Sequence, residues 1–379
     1  MPAAESDPAT LAIYVHWPFC ATICPYCDFN VHRDRGADAV AWSVALGAEL
    51  RYWAGLTPGR RIETLYFGGG TPSLAPTTVI EGVIKAAEDL WGFADDPEIS
   101  LEANPADAGR FAAFRAAGVN RLSLGVQSLD GAALKFLGRD HDAKAARKAI
   151  EAALDLFPRV SADLIYALPG QTVGQWTDQL KAAIRTGVQH LSLYQLTIEP
   201  GTAYDIQVAK GRWTPADDRA CADLFDAAQE LTSAAGLPAY EISNHARAGH
   251  RCRHNETYWR QGDYVAIGPG AHGRVTVNGV RRASETARAP GDYLARVNRD
   301  GHALTIDEAL TDAEIRIEKF AMGLRMTDGV LATPADLAAL GAAIAALEED
   351  GFLIRDGARI GATADGRRLL NAVLERLFA

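Results

Sequence analysis

The chain has 379 residues, with 38 Lys and Arg against 48 Asp and Glu, and a formal net charge of −10. That length can bury a large core and suggests two or three domains. The acidic balance argues against a nucleic-acid footprint and against an anionic membrane surface. Residues 1–10 carry Glu5, Asp7 and two prolines with no basic or apolar run, so they read as a flexible tail and not as a secretion signal. Ala335–Leu347 is the most apolar later stretch, but it runs straight into Glu348, Glu349 and Asp350. It reads as a buried helix, not a membrane span. Five cysteines, three of them clustered, suit metal ligation in a reducing cytoplasm better than a disulfide framework.

In chain order, Leu11–His16 is a first strand, followed by the loop carrying Cys20, Cys24 and Cys27. Ala37–Trp53 has helical periodicity. Thr64–Phe67 is a second strand, running into Gly68-Gly69-Gly70-Thr71-Pro72 and a helix from Thr77 to about Leu90. Glu98–Leu101, Arg121–Leu124, Arg159–Tyr166 and His190–Leu196 are four more strands, each followed by a helical pattern. Glycines, prolines and polar side chains gather just past the C-terminal end of each strand. This alternation predicts a parallel sheet with right-handed crossovers, and in a β/α barrel that edge carries the site. An open doubly wound sheet with its own crevice is the alternative; convergence of groups from six strands favours an incomplete (β/α)6 barrel. After about residue 300 the pattern becomes helix (Thr311–Leu324), helix (Pro334–Glu349), hairpin (Phe352–Ile360) and a last helix capped by Thr363. The expected division is therefore a tail over 1–10, a partial barrel with an extension over 11–300, and a small winged-helix-like α+β module over 301–379.

The cysteine spacing C-x3-C-x2-C places three thiolates in one short loop. Such a loop can bind three irons of a cubane and leave the fourth open, whereas closed four-ligand sites are structural. Zinc is the bland alternative, with His16 and His32 as the nearest fourth ligands, but zinc sites usually show two separated ligand pairs. The glycine triplet is not a P-loop, since no Gly-Lys-Ser/Thr follows.

With CATICPYC after the first strand and GGGT after the second, the chain resembles the radical S-adenosylmethionine superfamily. More closely, it is similar to the branch holding oxygen-independent coproporphyrinogen III dehydrogenase and the HemW-type heme chaperones. The resemblance implies a 4Fe–4S cluster on Cys20, Cys24 and Cys27, with S-adenosylmethionine chelating the open iron. It also implies cofactor contacts from Tyr14, Gly69, Gly70, Thr71, Glu102, Gln127, Arg139 and Asp163. The physics agrees: Tyr14 should point from the first strand toward the cluster, and Glu102 and Asp163 are acids in apolar surroundings that need partners. Arg139 could fork onto a carboxylate. A second segment, RHNETYWR at 253–260, fits the HNxxYW pattern of the chaperone branch. It implies heme contact by His254, Asn255, Tyr258 and Trp259, an imidazole being a natural axial ligand and aromatic rings covering a porphyrin face. His272 in GPGAHG is a weaker candidate for the same pocket.

Two functions compete. One is a heme carrier that delivers heme to acceptors such as respiratory enzymes. The other is a radical dehydrogenase of porphyrin biosynthesis, which needs an electron donor. The dehydrogenase pattern has a further cysteine where this chain has Phe29, it carries a long N-terminal extension, and it lacks HNxxYW. All three features favour the carrier. The expected partners are heme and its acceptor proteins, with neither nucleic acid nor stable membrane insertion. A DNA-binding role for the C-terminal module would need a basic helix that the sequence lacks.

Overall fold

A computed structural model describes residues 10–379. The expected tail therefore falls outside the described residues except for Thr10, which already belongs to the first strand. Six parallel strands sit side by side in chain order: β1 (Thr10–Trp17), β2 (Arg61–Gly69), β3 (Phe93–Ala103), β4 (Arg121–Gln127), β5 (Arg159–Tyr166) and β6 (His190–Gln195). Sequential order with no reversal is barrel topology; a doubly wound sheet would show a switch point. The sheet is longer than the sequence suggests. The short β7 (Asn244–Ala246) runs antiparallel on β6, and β8 (Tyr264–Ile267) adds parallel to β1 on the other side. Beyond β8 an antiparallel ribbon follows: β9 (His272–Val277), β10 (Val280–Thr286) and β11 (Leu304–Ala309). The eleven strands form one open sheet with edges at β11 and β7.

The two faces of the sheet differ chemically, because side chains alternate with period 2. Leu65, Phe67, Ile99, Leu101, Leu122, Leu124, Leu191 and Leu193 are buried in one apolar cluster with the helices Ala39–Leu56, Thr77–Trp91 and Ala143–Leu156. The alternate positions are polar: Thr64, Glu98, Ser100, Arg121, Ser123, Ser161, His190 and Ser192, all buried. The sheet therefore curls around a polar lumen and keeps its core on the outside, under the helices.

The edge strand Leu304–Ala309 pairs with β10, so the expected boundary at residue 300 moves to about 310. Beyond it a separate core joins Phe320, Ile344, Leu347, Ile360 and Val373. Helices Asp312–Gly323 and Pro334–Glu349 start with capping boxes from Thr311 and Thr333, and a three-stranded sheet completes a winged-helix-like unit. Thr363 caps a short helix, Ala364–Arg368, and Leu370–Leu377 follows as a separate one. Among the described residues, no helix is long and apolar enough to cross a membrane.

Candidate cofactor cavity and motif helix

A cavity of about 510 Å³ opens at the C-terminal edge of the strands. Cys20, Cys24 and Cys27 line it, together with Gly69, Gly70, Thr71, Glu102, Gln127, Arg139 and Asp163. Every S-adenosylmethionine contact expected from the sequence is thus brought to one chamber except Tyr14. Tyr14 points into the lumen instead, where its hydroxyl meets His16 Nδ1 at 3.1 Å and its ring stacks near Tyr66 with centroids 6.3 Å apart. There it stays beside the cavity wall, since its ring and the Glu102 carboxylate both crowd the space over Gly68.

The glycine stretch lets the backbone close up around the chamber. Gly69 has φ +107°, and a Cβ there would lie 2.6 Å from the His16 ring. One at Gly70 would lie 2.8 Å from the Phe19 carbonyl oxygen. Neither position can carry a side chain without shifting its neighbours. Gln127 also sits at positive φ, 62°, an uncommon conformation for a residue with a Cβ, and its buried Oε1 has no hydrogen-bond partner. An orphaned acceptor on the cavity wall is what a donor-bearing ligand would satisfy.

Charge in the cavity is lopsided. Asp28, Glu102, Asp107, Asp140, Asp163 and Glu199 line it against the guanidinium of Arg139. Burial pushes the Glu102 carboxyl up to about 7, against the pull of the Tyr66 hydroxyl and the Gly69 amide. Burial also raises Asp163, which accepts from Ser123 and Ser161. Arg139 Nη1 donates to Cys24 Sγ at 3.2 Å and Nη2 to the Gly125 carbonyl at 3.1 Å. Burial raises the Cys27 thiol to about 11. The donor set is three soft thiols beside one cation, inside a chamber whose other charges are negative. It suits a thiolate-bound cluster plus a cationic ligand.

The HNxxYW segment lies at the opposite end. Arg253–Trp259 is a short helix at the N-terminal ends of the strands, forming a floor to the lumen. The buried Glu98 of β3 accepts from the amides of Arg253 (3.3 Å) and His254 (3.1 Å) and pairs with Arg159 at 3.1 Å. This carboxylate supplies the cap that the helix's own N-cap residue, Cys252, does not provide. His254 is 1% exposed; its Nδ1 bonds Thr64 Oγ1 at 2.7 Å and its Nε2 bonds the Tyr258 hydroxyl at 2.5 Å. Both ring nitrogens are taken, and desolvation holds the imidazole down at about 3, so it is neutral. The expectation of an imidazole presented to an outside ligand is therefore not met in this conformation. Asn255, Tyr258 and Trp259 are half-buried, Trp259 packing edge-on against Tyr240. Cys252 is buried against Glu98, and His272 is exposed on β9 beside Glu285, away from the floor.

Several residues of this arrangement were not expected. Glu98 and Arg121 are charged residues in strand patterns, the same signal that singled out Asp163, yet both sit beneath the cavity and not in it. Tyr66 reads as one more apolar strand residue, although its hydroxyl reaches Glu102 at 2.9 Å.

Comparison with known proteins follows the same lines. Residues 14–182 match the model of the Radical SAM superfamily, and residues 310–369 match that of the HemN C-terminal domain. A Bos taurus protein named Radical S-adenosyl methionine domain-containing protein 1, mitochondrial, is 38% identical over 100% of this chain and 89% of its own length. Heme chaperone HemW of Mycobacterium tuberculosis is 36% identical over 97% of the chain and 94% of its own. Escherichia coli HemW is 40% identical over 70% of each. Among solved structures, coproporphyrinogen III oxidase (HemN) of Escherichia coli superposes with a TM-score of 0.81, covering 99% of this chain and 91% of that one. At 23% identity that likeness speaks for the fold alone.

Proposed function

The chain belongs to the HemW heme-chaperone family within the radical S-adenosylmethionine superfamily, and on that premise we propose that it binds heme and hands it to acceptor proteins. Cys20, Cys24 and Cys27 hold a 4Fe–4S cluster in this reading. Gly69, Gly70, Thr71, Glu102, Gln127, Arg139 and Asp163 surround S-adenosylmethionine, with Tyr14 supporting them from below. Such a cluster, when bound, supplies a one-electron reductant and an open iron for the cofactor's amino and carboxylate groups. The protein's own part is to present acids to a cation, to fork Arg139 toward a carboxylate and to keep the loop thiols together.

The observation that carries the heme reading is the HNxxYW helix at the floor, in a chain 36% identical to a HemW heme chaperone over 97% of its length. The cavity walls are acidic and repel the carboxylates of a porphyrin. The floor segment carries Arg247, Arg251, Arg253 and Arg260 around HNxxYW; Arg251 and Arg260 pair with Glu256 and Asp328, and Arg253 with Asp96, so propionates would take them in exchange for those carboxylates. This supports a heme surface at the floor built from His254, Asn255, Tyr258 and Trp259. It weighs against the dehydrogenase reading, in which a polycarboxylate porphyrinogen must enter the cavity. Iron ligation by His254 then requires the Tyr258 bond to open first. The five free cysteines support a reducing compartment such as the cytoplasm. Partners in this reading are heme-accepting proteins, with an electron donor if the cluster turns over.

The test is anaerobic reconstitution with iron and sulfide, then heme titration of wild type and His254→Ala. Saturable heme binding that the variant loses supports the floor site. Equal affinity removes His254 from it, and turnover of coproporphyrinogen III replaces the carrier reading with the enzyme.

A further inference from the structure

A line of polar and stacked groups crosses the lumen from the floor helix to the cavity. The His254 imidazole stacks on the Tyr66 ring with centroids 4.9 Å apart and planes 19° from parallel. The Tyr66 hydroxyl donates to Glu102 Oε1 at 2.9 Å, and Oε2 of the same carboxylate accepts from the Gly69 amide at 3.2 Å. Glu102 and Gly69 both line the cavity. The crossing is close-packed. A Cβ at Gly68 would lie 2.9 Å from Tyr14 Cε2, 3.0 Å from Tyr66 Cε1 and 3.1 Å from Glu102 Oε1. These three side chains can close over β2 because residue 68 has none. At the floor, Thr64 and Tyr258 fix the imidazole on both sides.

We propose that His254 and Tyr66 are positioning residues for Glu102, so that the motif helix also sets the affinity of the cofactor cavity. The inference rests on the proposed occupancy of that cavity by S-adenosylmethionine and deepens it. With a donor on each oxygen, the carboxylate has a fixed orientation and need not be ordered when the cation arrives. Without the Tyr66 hydroxyl it keeps the Gly69 amide alone and can rotate away from the chamber. Because binding couplings are reciprocal, a ligand that draws His254 out of its stack also loosens Glu102.

The experiment measures S-adenosylmethionine affinity by equilibrium dialysis on anaerobically reconstituted protein, with iron and sulfide content and melting temperature as controls. Tyr66→Phe keeps the stacked ring and removes one charge-assisted donor, so affinity is expected to fall about tenfold with the cluster intact. Glu102→Gln lowers it further. In the Glu102→Gln background, Tyr66→Phe adds less than about twofold, since its route to the cofactor is gone. His254→Gln, which can still bond Thr64 but has no ring to stack, is expected to weaken binding about threefold. Tyr66→Phe within about twofold of wild type, or additive losses in the double variant, overturns the inference while leaving the cofactor reading intact. Wild-type protein that carries its cluster yet binds no S-adenosylmethionine overturns both.

Discussion

Replacing Glu98 with Ala removes the carboxylate that ties the motif helix to the barrel. The side chain is fully buried and has four partners: the Arg253 and His254 amides, Cys252 Sγ and the guanidinium of Arg159. Breaking a buried ion pair from one side costs about 3–5 kcal/mol. Arg159 keeps 18% of its side-chain surface in water, so the low end, about 3 kcal/mol, applies. Losing the acceptor at a helix N-terminus adds about 1 kcal/mol. The sum, about 4 kcal/mol, corresponds to a fall in melting temperature of roughly 5 °C for a chain of 379 residues. Glu98→Gln keeps the shape and one acceptor and is expected to lose less than half of that. Differential scanning fluorimetry reads the shift, and amide hydrogen exchange reads protection over residues 253–258. A Glu98→Ala protein that melts with wild type and keeps those amides protected would refute the floor-anchor reasoning.

Gly69→Ala forces a Cβ into the His16 ring at a φ that L side chains rarely adopt, so a loss of about 2 kcal/mol is expected in chemical unfolding, together with loss of S-adenosylmethionine binding in dialysis. Burial raises the Glu102 carboxyl to about 7, so it is protonated below that pH and cannot pair with a cation. Affinity for S-adenosylmethionine should be level in mild alkali and fall as the pH drops through 7, approaching about tenfold per pH unit. Glu102→Gln should flatten that profile. Cys24→Ser leaves two thiolates and puts a hydroxyl in place of the sulfur that accepts from Arg139 Nη1, and iron content after reconstitution should drop to background with the fold retained by circular dichroism.

Much of the barrel was legible because parallel strands covered by helices read as apolar runs, and all six fall where those runs lie. β7 and β8 escaped because they are three and four residues long, too short to show a period. β10, VRRASET, carries two arginines and reads as a loop. Its strand character comes from pairing on both sides within the ribbon, a tertiary fact. Gly69, Gly70 and Thr71 were legible as a glycine turn at a strand end, whereas Gln127, Arg139 and Asp163 were singled out by the family resemblance. HNxxYW stood out as a motif, but its burial depends on Glu98 and Thr64, which lie far off in sequence and meet it at the floor. The same holds for Tyr66, whose hydroxyl matters through a carboxylate on the next strand.

The central claim is delivery of heme, and transfer tests it most directly. Reconstituted protein is loaded with heme under anaerobic conditions and mixed with the heme-free form of a respiratory heme enzyme. The two proteins are separated, and heme is followed in each by its Soret absorbance. Heme should move to the acceptor faster than it leaves this chain in buffer alone, and faster than with an unrelated apoprotein. Transfer no faster than spontaneous release, with coproporphyrinogen III decarboxylated in a parallel assay, would contradict the account.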